Sequence, residues 1–218
     1  MDDFLEPGVF QALHEHVKQE KFFYENSLEW NTVWHPLNGN SLITGLKSYG
    51  ETGKPSLRYP TKTPVDRFME TICGAREFFD DLLLPADVGG DELKFTAAGF
   101  LYRAGWGLPW HIDHGNQQYR GAFVYYLHEN WRGNWGGELM ISAEKRKFAA
   151  DVGDIDLGFR QGVGFSKPAY IEDGVGTFVM PKPNRAVFLK QGVLHAINPV
   201  SPLAGENMRF SLAGFFMK

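Results

Sequence analysis

The chain has 218 residues, enough for one domain with a sizeable core, and its 43% hydrophobic and 22% charged residues are typical of a globular protein. The net charge of −4 gives no electrostatic support for binding nucleic acid or an anionic membrane, and no apolar run approaches the ~20 residues that span a bilayer. Cys73 is the only cysteine and the acidic start at Met1 has no signal-peptide pattern, so we expect a cytoplasmic protein without an intrachain disulfide.

The N-terminal part, residues 1–94, is predicted to be a helical and irregular support for the rest of the chain. Apolar residues recur at helical spacing over residues 7–19, which predicts a first helix. Short strands are expected at residues 41–44 and 56–59. The clearest helix is predicted over residues 64–84, where an apolar stripe indicates packing against a sheet.

From residue 95 onward the pattern changes to short strands separated by turn residues, at residues 95–102, 120–128, 138–141, 185–190, 193–198 and 209–216. Helices followed by short strands predict an α+β fold, with a double-stranded β-helix (jelly-roll, cupin-like) core and the N-terminal helices packed on one sheet. We expect one domain over residues 1–218, in which 95–218 form the core. A glycine-rich insertion at residues 142–180 interrupts the strands, in a place that could cover the mouth of a pocket.

A candidate metal site begins at His111-Ile112-Asp113. On an extended strand the side chains of His111 and Asp113 point to the same face, and an imidazole beside a carboxylate can hold a divalent metal. His195 is the candidate third ligand. Two histidines and one carboxylate leave three metal positions open, as in the facial triad of non-haem Fe(II) oxygenases. An isolated His-x-Asp is weak support, because a strand histidine more often has a structural role.

A candidate anion receptor follows near the C-terminus. Arg209 and Ser211 share one face of a predicted strand, and a guanidinium with a hydroxyl is well suited to bind a carboxylate. His128, at the end of the predicted strand 120–128, is expected to be exposed.

Several motifs occur in one order along residues 95–216: Tyr102-x-x-Gly105, His111-x-Asp113, Tyr125-Tyr126-Leu127, Gly136-Gly137-Glu138-Leu139, His195 and Arg209-x-Ser211. In this order they resemble the Fe(II)/2-oxoglutarate dioxygenases, specifically the prolyl-4-hydroxylase-like branch. The resemblance implies that Fe(II) is held by the catalytic residues His111, Asp113 and His195. It also implies that 2-oxoglutarate, the co-substrate used with O2, is bound by Arg209 and Ser211, with hydroxyl donors from Tyr102 and Tyr126.

The resemblance implies hydroxylation of an unactivated C–H bond, with release of succinate and CO2. The substrate we expect is a small molecule, such as an amino acid or a biosynthetic intermediate. Candidate substrate contacts are Trp110, Asn116 and Glu138, for which structural roles are equally open. Related halogenases have Gly or Ala in place of the carboxylate ligand, so Asp113 favours hydroxylation over halogenation.

Two alternatives stay open at this point. The first is a hydroxylase of protein side chains such as proline. The second is a non-catalytic cupin-like module that binds a metal or a ligand. The combination of a metal triad with a co-substrate anchor favours an enzyme. The oligomeric state does not follow from the sequence.

Overall fold

The computed structural model describes residues 1–26, 40–78, 93–111, 113, 119–143 and 175–217. Two α-helices occur in these ranges, α1 (Pro7–Lys18) and α2 (Val65–Gly74), the second followed by a short 3-10 helix at Arg76–Phe78. The strands in these ranges are β1 (Phe23–Asn26), β2 (Asn40–Ile43), β3 (Lys47–Tyr49), β4 (Leu57–Arg58), β5 (Lys94–Tyr102), β6 (Leu108–His111), β7 (Tyr119–Tyr126), β8 (Leu139–Ser142), β9 (Gly176–Val179), β10 (Ala186–Lys190), β11 (His195–Ile197) and β12 (Arg209–Met217).

The strands form two sheets. The major sheet has the order β1-β2-β5-β12-β7-β10, with β3 and β4 attached to β5, and the minor sheet has the order β6-β11-β8-β9. All pairings are antiparallel except that of β3 with β4. From β5 to β12 the strands alternate between the sheets except at β8 and β9, which form a hairpin-like pair in the minor sheet, and this is the double-stranded β-helix predicted from the sequence.

The two helices cover the outer face of the major sheet. Apolar side chains of α1 and α2, including Leu13, Phe68 and Ile72, form one buried cluster with the outward residues of the sheet. Because side chains alternate along a strand, β12 contributes Phe210, Leu212 and Phe216 to this cluster. The predicted packing of N-terminal helices on one sheet is therefore confirmed.

The inner face of the major sheet packs against the minor sheet. This second cluster contains the buried residues Leu108, Leu139, Leu189, Ile197 and Val200, which come from both sheets. The inner side chains of β12, namely Arg209, Ser211 and Ala213, line a cavity between the sheets. The core thus surrounds a pocket.

Three local predictions were wrong. The second helix ends at Gly74, and Ala75 already has non-helical backbone angles (φ −87°, ψ 6°), so the helix does not extend toward residue 84. The interruption at 142–180 is shorter than expected, because Ser142 ends β8 and Gly176–Val179 is a strand paired with it. Asp113 lies beyond the end of β6 instead of on the strand. Most of the glycine-rich insertion that was expected to cover the mouth of the pocket falls outside the described residues.

Neither described helix has the length and apolar character that crossing a membrane requires.

Candidate active site

Three side chains that can bind a metal meet between the sheets. His111 ends β6, His195 begins β11, and the two are direct partners across the antiparallel pairing of these strands. Their rings lie 4.2 Å apart, centroid to centroid. The carboxylate oxygens of Asp113 lie 3.6 Å from Nε2 of His111 and 3.5 Å from Nε2 of His195. These distances are short enough for one cation, with bonds of about 2.1 Å, to contact all three residues.

Backbone carbonyls orient both imidazoles in the same way. Nδ1 of His111 lies 2.7 Å from the carbonyl oxygen of Pro109, and Nδ1 of His195 lies 2.8 Å from that of Val193. A carbonyl can only accept, so each Nδ1 carries a hydrogen and donates it. Each Nε2 of the neutral ring then has a free lone pair, and these lone pairs face Asp113.

The electrostatics of the site also keep His111 neutral. Burial lowers the pKa of His111 to about 4, and the neighbouring His195 acts in the same direction. A neutral imidazole is the form that binds a metal. Two imidazoles and the carboxylate of the half-buried Asp113 are the donor set that suits a non-haem iron.

The cavity that contains these residues has a volume of about 520 Å³. Arg209 lies at one end of the cavity, where β12 pairs with β5 and Arg209 is the register partner of Tyr102. The opposite end is formed where β7 begins, at Tyr119, which stacks on Phe215 of β12. His111, Asp113 and His195 line the same cavity as Arg209 and Tyr119.

Arg209 is fully buried, and its guanidinium is positioned by two hydrogen bonds. Nε donates to the carbonyl oxygen of Gly137 at 2.8 Å, and Nη1 donates to Oγ of Ser211 at 3.2 Å. The guanidinium also lies near the rings of Tyr102 and Tyr126, at 5.4 and 5.0 Å from their centroids. Gly137 has a positive φ of 74°, and a Cβ there would lie 3.0 Å from Cδ of Arg209, so a glycine suits this close approach.

Polar atoms around Arg209 lack partners within the described ranges. Nη2 of Arg209 and the hydroxyl of Tyr126 make no hydrogen bond, and no carboxylate forms an ion pair with the guanidinium. An unpaired buried charge is costly, and an anionic ligand would remove that cost. Burial raises the pKa of Tyr102 to about 12, so its hydroxyl stays protonated and can donate. This end of the cavity therefore fits a carboxylate.

The structure places the other candidate residues away from this arrangement. Trp110 is half-buried on β6 but does not line the cavity, and Glu138 accepts a hydrogen bond from Asn198 at 2.8 Å, also outside it. Asn116 lies outside the described residues. The expectation for His128 was wrong, because it is 5% exposed and its Nδ1 lies 3.2 Å from the carbonyl oxygen of Phe210.

Sequence reasoning missed four polar residues of the cavity, namely Glu25, Thr96, Lys54 and Tyr119. Lys54 lies between β3 and β4, in a region whose sequence gives no periodic pattern. Tyr119 stands at the first position of β7, one residue before the predicted start of that strand. The short spacing between Asp113 and β7 is the one signal that could have indicated Tyr119.

The sequence model of the 2OG-Fe(II) oxygenase superfamily matches residues 99–217. This range includes the three candidate ligands and Arg209. No curated protein sequence matches the chain significantly.

Solved structures with a similar fold include a Pseudomonas putida prolyl-4-hydroxylase, at 17% identity and a TM-score of 0.63, covering 100% of this chain and 91% of the other. A prolyl hydroxylase from Trichoplax adhaerens, in complex with a peptide of hypoxia inducible factor, is 15% identical with a TM-score of 0.59, covering 100% and 81%. An oxidoreductase of the 2OG-Fe(II) oxygenase family from Burkholderia pseudomallei is 12% identical with a TM-score of 0.57, covering 98% and 81%.

Proposed function

The chain belongs to the 2OG-Fe(II) oxygenase superfamily, and on that premise we propose that it hydroxylates an unactivated C–H bond of a small molecule. Members of the family use Fe(II), 2-oxoglutarate and O2, and this chain is a 2-oxoglutarate-dependent oxygenase whose fold is similar to that of prolyl hydroxylases. The observation that supports the site assignment is one cavity lined both by a group of three possible metal ligands and by a buried arginine that no described carboxylate pairs with.

In this proposal His111, Asp113 and His195 hold the iron. The two imidazoles present Nε2 because their Nδ1 hydrogens are donated to Pro109 and Val193. Asp113 adds a negative charge, which lowers the net charge of the Fe(II) site. When bound, the iron and 2-oxoglutarate supply the oxidising chemistry, with O2 consumed and succinate and CO2 released.

Arg209 and Ser211 bind the distal carboxylate of 2-oxoglutarate. The guanidinium is already fixed by Gly137 and Ser211, so little side-chain freedom is lost on binding. In this proposal Tyr102 and Tyr126, whose rings lie near the guanidinium of Arg209, donate their hydroxyl hydrogens at this end. The apolar walls, which include Leu108, Leu139 and Ile197, exclude water and strengthen the charge pairing.

A cavity of about 520 Å³ is in the range of sites for small molecules, which supports the proposed substrate class. Hydroxylation in place of halogenation is supported by the carboxylate at Asp113. The expected product is therefore heavier than the substrate by one oxygen atom.

The second candidate is hydroxylation of a proline in a protein. It is favoured by the similarity of the fold to the prolyl hydroxylases of Pseudomonas putida and Trichoplax adhaerens. At 17% and 15% identity that similarity concerns the fold alone.

One experiment separates the two candidates. The protein is loaded with Fe(II) and 2-oxoglutarate without oxygen, and then exposed to O2 with either a panel of small metabolites or a panel of proline-containing peptides. We expect succinate release and a gain of one oxygen atom with a small molecule, and loss of both in His195→Ala. His16→Ala, at a half-buried histidine of α1 outside the cavity, is the matched control and stays active. Oxidation of peptides alone would establish the second candidate.

A further inference from the structure

The cavity contains a lysine at the end opposite Arg209. Lys54 lies between β3 and β4, and β3 pairs with the first half of β5 through Ser48 and Thr96. Thr96 lies beside Gly214 and Phe215 of β12, which is the Tyr119 end of the cavity. Lys54, Tyr119 and the three candidate metal ligands all line the same cavity. A molecule bound in this cavity at the end opposite Arg209 would therefore meet Lys54.

Lys54 and Tyr119 form a polar pair with an aromatic wall beside it. Nζ of Lys54 donates to the hydroxyl of Tyr119 and lies 4.8 Å from the centroid of its ring. Tyr119 in turn stacks on Phe215, with ring centroids 4.6 Å apart and planes 12° apart. The tyrosine oxygen accepts from the ammonium, so its own hydrogen is left to donate outward.

The positive charge of Lys54 is not neutralised by its neighbours in the described ranges. No carboxylate there forms an ion pair with it, and the tyrosine hydroxyl is a neutral partner. An ammonium has three donors, of which this contact uses one. Two donor groups side by side, one of them charged, match the two oxygens of a carboxylate.

We propose that Lys54 and Tyr119 form a recognition site for a carboxylate on the substrate, so that the enzyme selects small acids. The Tyr119–Phe215 wall then packs against the hydrocarbon part of the acid and directs it toward the metal ligands. This inference rests on the proposed function only in requiring that a small molecule enters the cavity. The alternative is a purely structural role, in which Lys54 holds the loop between β3 and β4 against β7 and does not affect which substrates bind.

The test uses pairs of molecules that differ in one charge: N-acetyl amino acids and their primary amides. Binding of each is measured by equilibrium dialysis to the protein loaded with Fe(II) and 2-oxoglutarate, without oxygen. We expect the wild-type protein to bind the preferred acid roughly tenfold or more tightly than its amide. Lys54→Met should reduce this ratio of acid to amide affinity to about one, whereas Lys54→Arg should retain most of it. Tyr119→Phe keeps the stacking on Phe215 but should lose part of the preference for the acid.

Two controls make the result specific. Lys18→Met removes the same charge from an exposed position on α1 and leaves the ratio unchanged. The affinity for 2-oxoglutarate is measured in each variant and stays the same, because that carboxylate is bound at the Arg209 end.

The proposal is overturned if the wild-type protein binds acids and amides equally or binds none of them, or if Lys54→Met keeps the preference. It is also overturned if Lys54→Met weakens the binding of 2-oxoglutarate instead, since Lys54 would then bind the co-substrate. Dialysis without oxygen does not depend on turnover. Failure of the proposed function, seen as no succinate with any small molecule, is therefore distinguishable from failure of this inference.

Discussion

At the scale of single residues, Arg209 combines full burial with a charge that no described carboxylate balances. Removing it should weaken 2-oxoglutarate binding by about 2–5 kcal/mol, or at least roughly thirtyfold, because the ligand carboxylate loses a charged partner in a water-poor pocket. Arg209→Lys should recover part of the affinity, since lysine keeps the charge but lacks the planar fork. The measurement is the dissociation constant of 2-oxoglutarate for Arg209→Ala loaded with Fe(II). An unchanged constant in a folded variant would mean that the carboxylate is bound elsewhere.

His128 should make the fold sensitive to acid. Burial lowers its pKa to about 3, and the nearby Arg209 acts in the same direction, whereas the pKa of an unfolded histidine is near 6.5. Below pH ~6.5 His128 is therefore protonated in the unfolded chain but neutral in the folded protein. The free energy of unfolding consequently falls as the pH is lowered from there toward 3, by up to about 1.4 kcal/mol per pH unit.

His128→Gln should flatten this dependence, because glutamine does not titrate and can still donate to the carbonyl oxygen of Phe210. The measurement is the free energy of unfolding in urea at pH 7.5 and pH 5. If the drop in stability between these two pH values were the same in both proteins, His128 would not be the group responsible.

Residue types and their spacing were sufficient to predict the candidate metal ligands and Arg209, because each belongs to a short motif with a recognisable chemistry. Lys54 and Tyr119 could not be predicted in this way. They meet only because β3 pairs with β5 and β7 pairs with β12, which brings together positions 65 residues apart. The burial of His128 was missed for the same reason, since its ring lies against Phe210, 82 residues further along the chain.

At the scale of secondary structure, β12 is the central strand, hydrogen bonded to β5 on one side and β7 on the other. Gly214 in this strand should not tolerate a side chain. A Cβ there would lie 1.7 Å from the carbonyl oxygen of Thr96, so the backbones of β5 and β12 would have to separate. We expect Gly214→Ala to destabilise the protein by about 2–4 kcal/mol, in the range of severe point changes.

The matched control is Gly8→Ala in the first turn of α1, where a Cβ would meet no atom within 4 Å. This change should be neutral or slightly stabilising, because alanine favours the helix. The measurement is the midpoint of thermal unfolding for both variants. Equal midpoints would contradict the close approach of β5 and β12 at Gly214.

Strand alternation was predictable where the strands are long, as in β5, β7 and β12. The short strands β1, β3 and β9 were not predicted, since three or four residues give too little pattern and form because the neighbouring strand is already in place. The early end of α2 coincides with Gly74, a residue type of low helix propensity. Its apolar stripe continues in the sequence, but the backbone leaves the helix after Gly74.

At the scale of the whole molecule, the N-terminal segment is fixed to the start of β10. The amino group of Met1 donates to the carbonyl oxygen of Ala186 at 2.9 Å, and Asp2 forms ion pairs with Lys182 and Arg185. Asn184 connects this segment to the core. Its side chain accepts from the backbone of Leu5 at 2.8 Å and from the hydroxyl of Tyr125 at 2.6 Å, and donates to Leu5 at 2.7 Å.

Replacing Asn184 by glycine should cost about 2–4 kcal/mol, because three hydrogen bonds are lost and the Tyr125 hydroxyl is left buried without its partner. Glycine accepts the positive φ of 58° at this position, so backbone strain does not contribute. The measurement is the free energy of unfolding in guanidinium chloride. Tyr125→Phe, which removes one of the three bonds, should cost about 1 kcal/mol. A loss below about 0.5 kcal/mol in Asn184→Gly would show that the N-terminal segment contributes little.

The pairing of β8 separates the metal site from the connection that follows it. On one side β8 pairs with β11, where Ile141 is opposite His195. On the other side it pairs with β9, where Leu139 is opposite Val179 and Ser142 is opposite Gly176. Both ends of the connection over residues 143–175 therefore leave the sheet from neighbouring positions. This connection can therefore be exchanged as a unit, with a new length and sequence, while His195 keeps its place. Its two junctions, which follow β8 and precede β9, are natural points at which to build chimaeras.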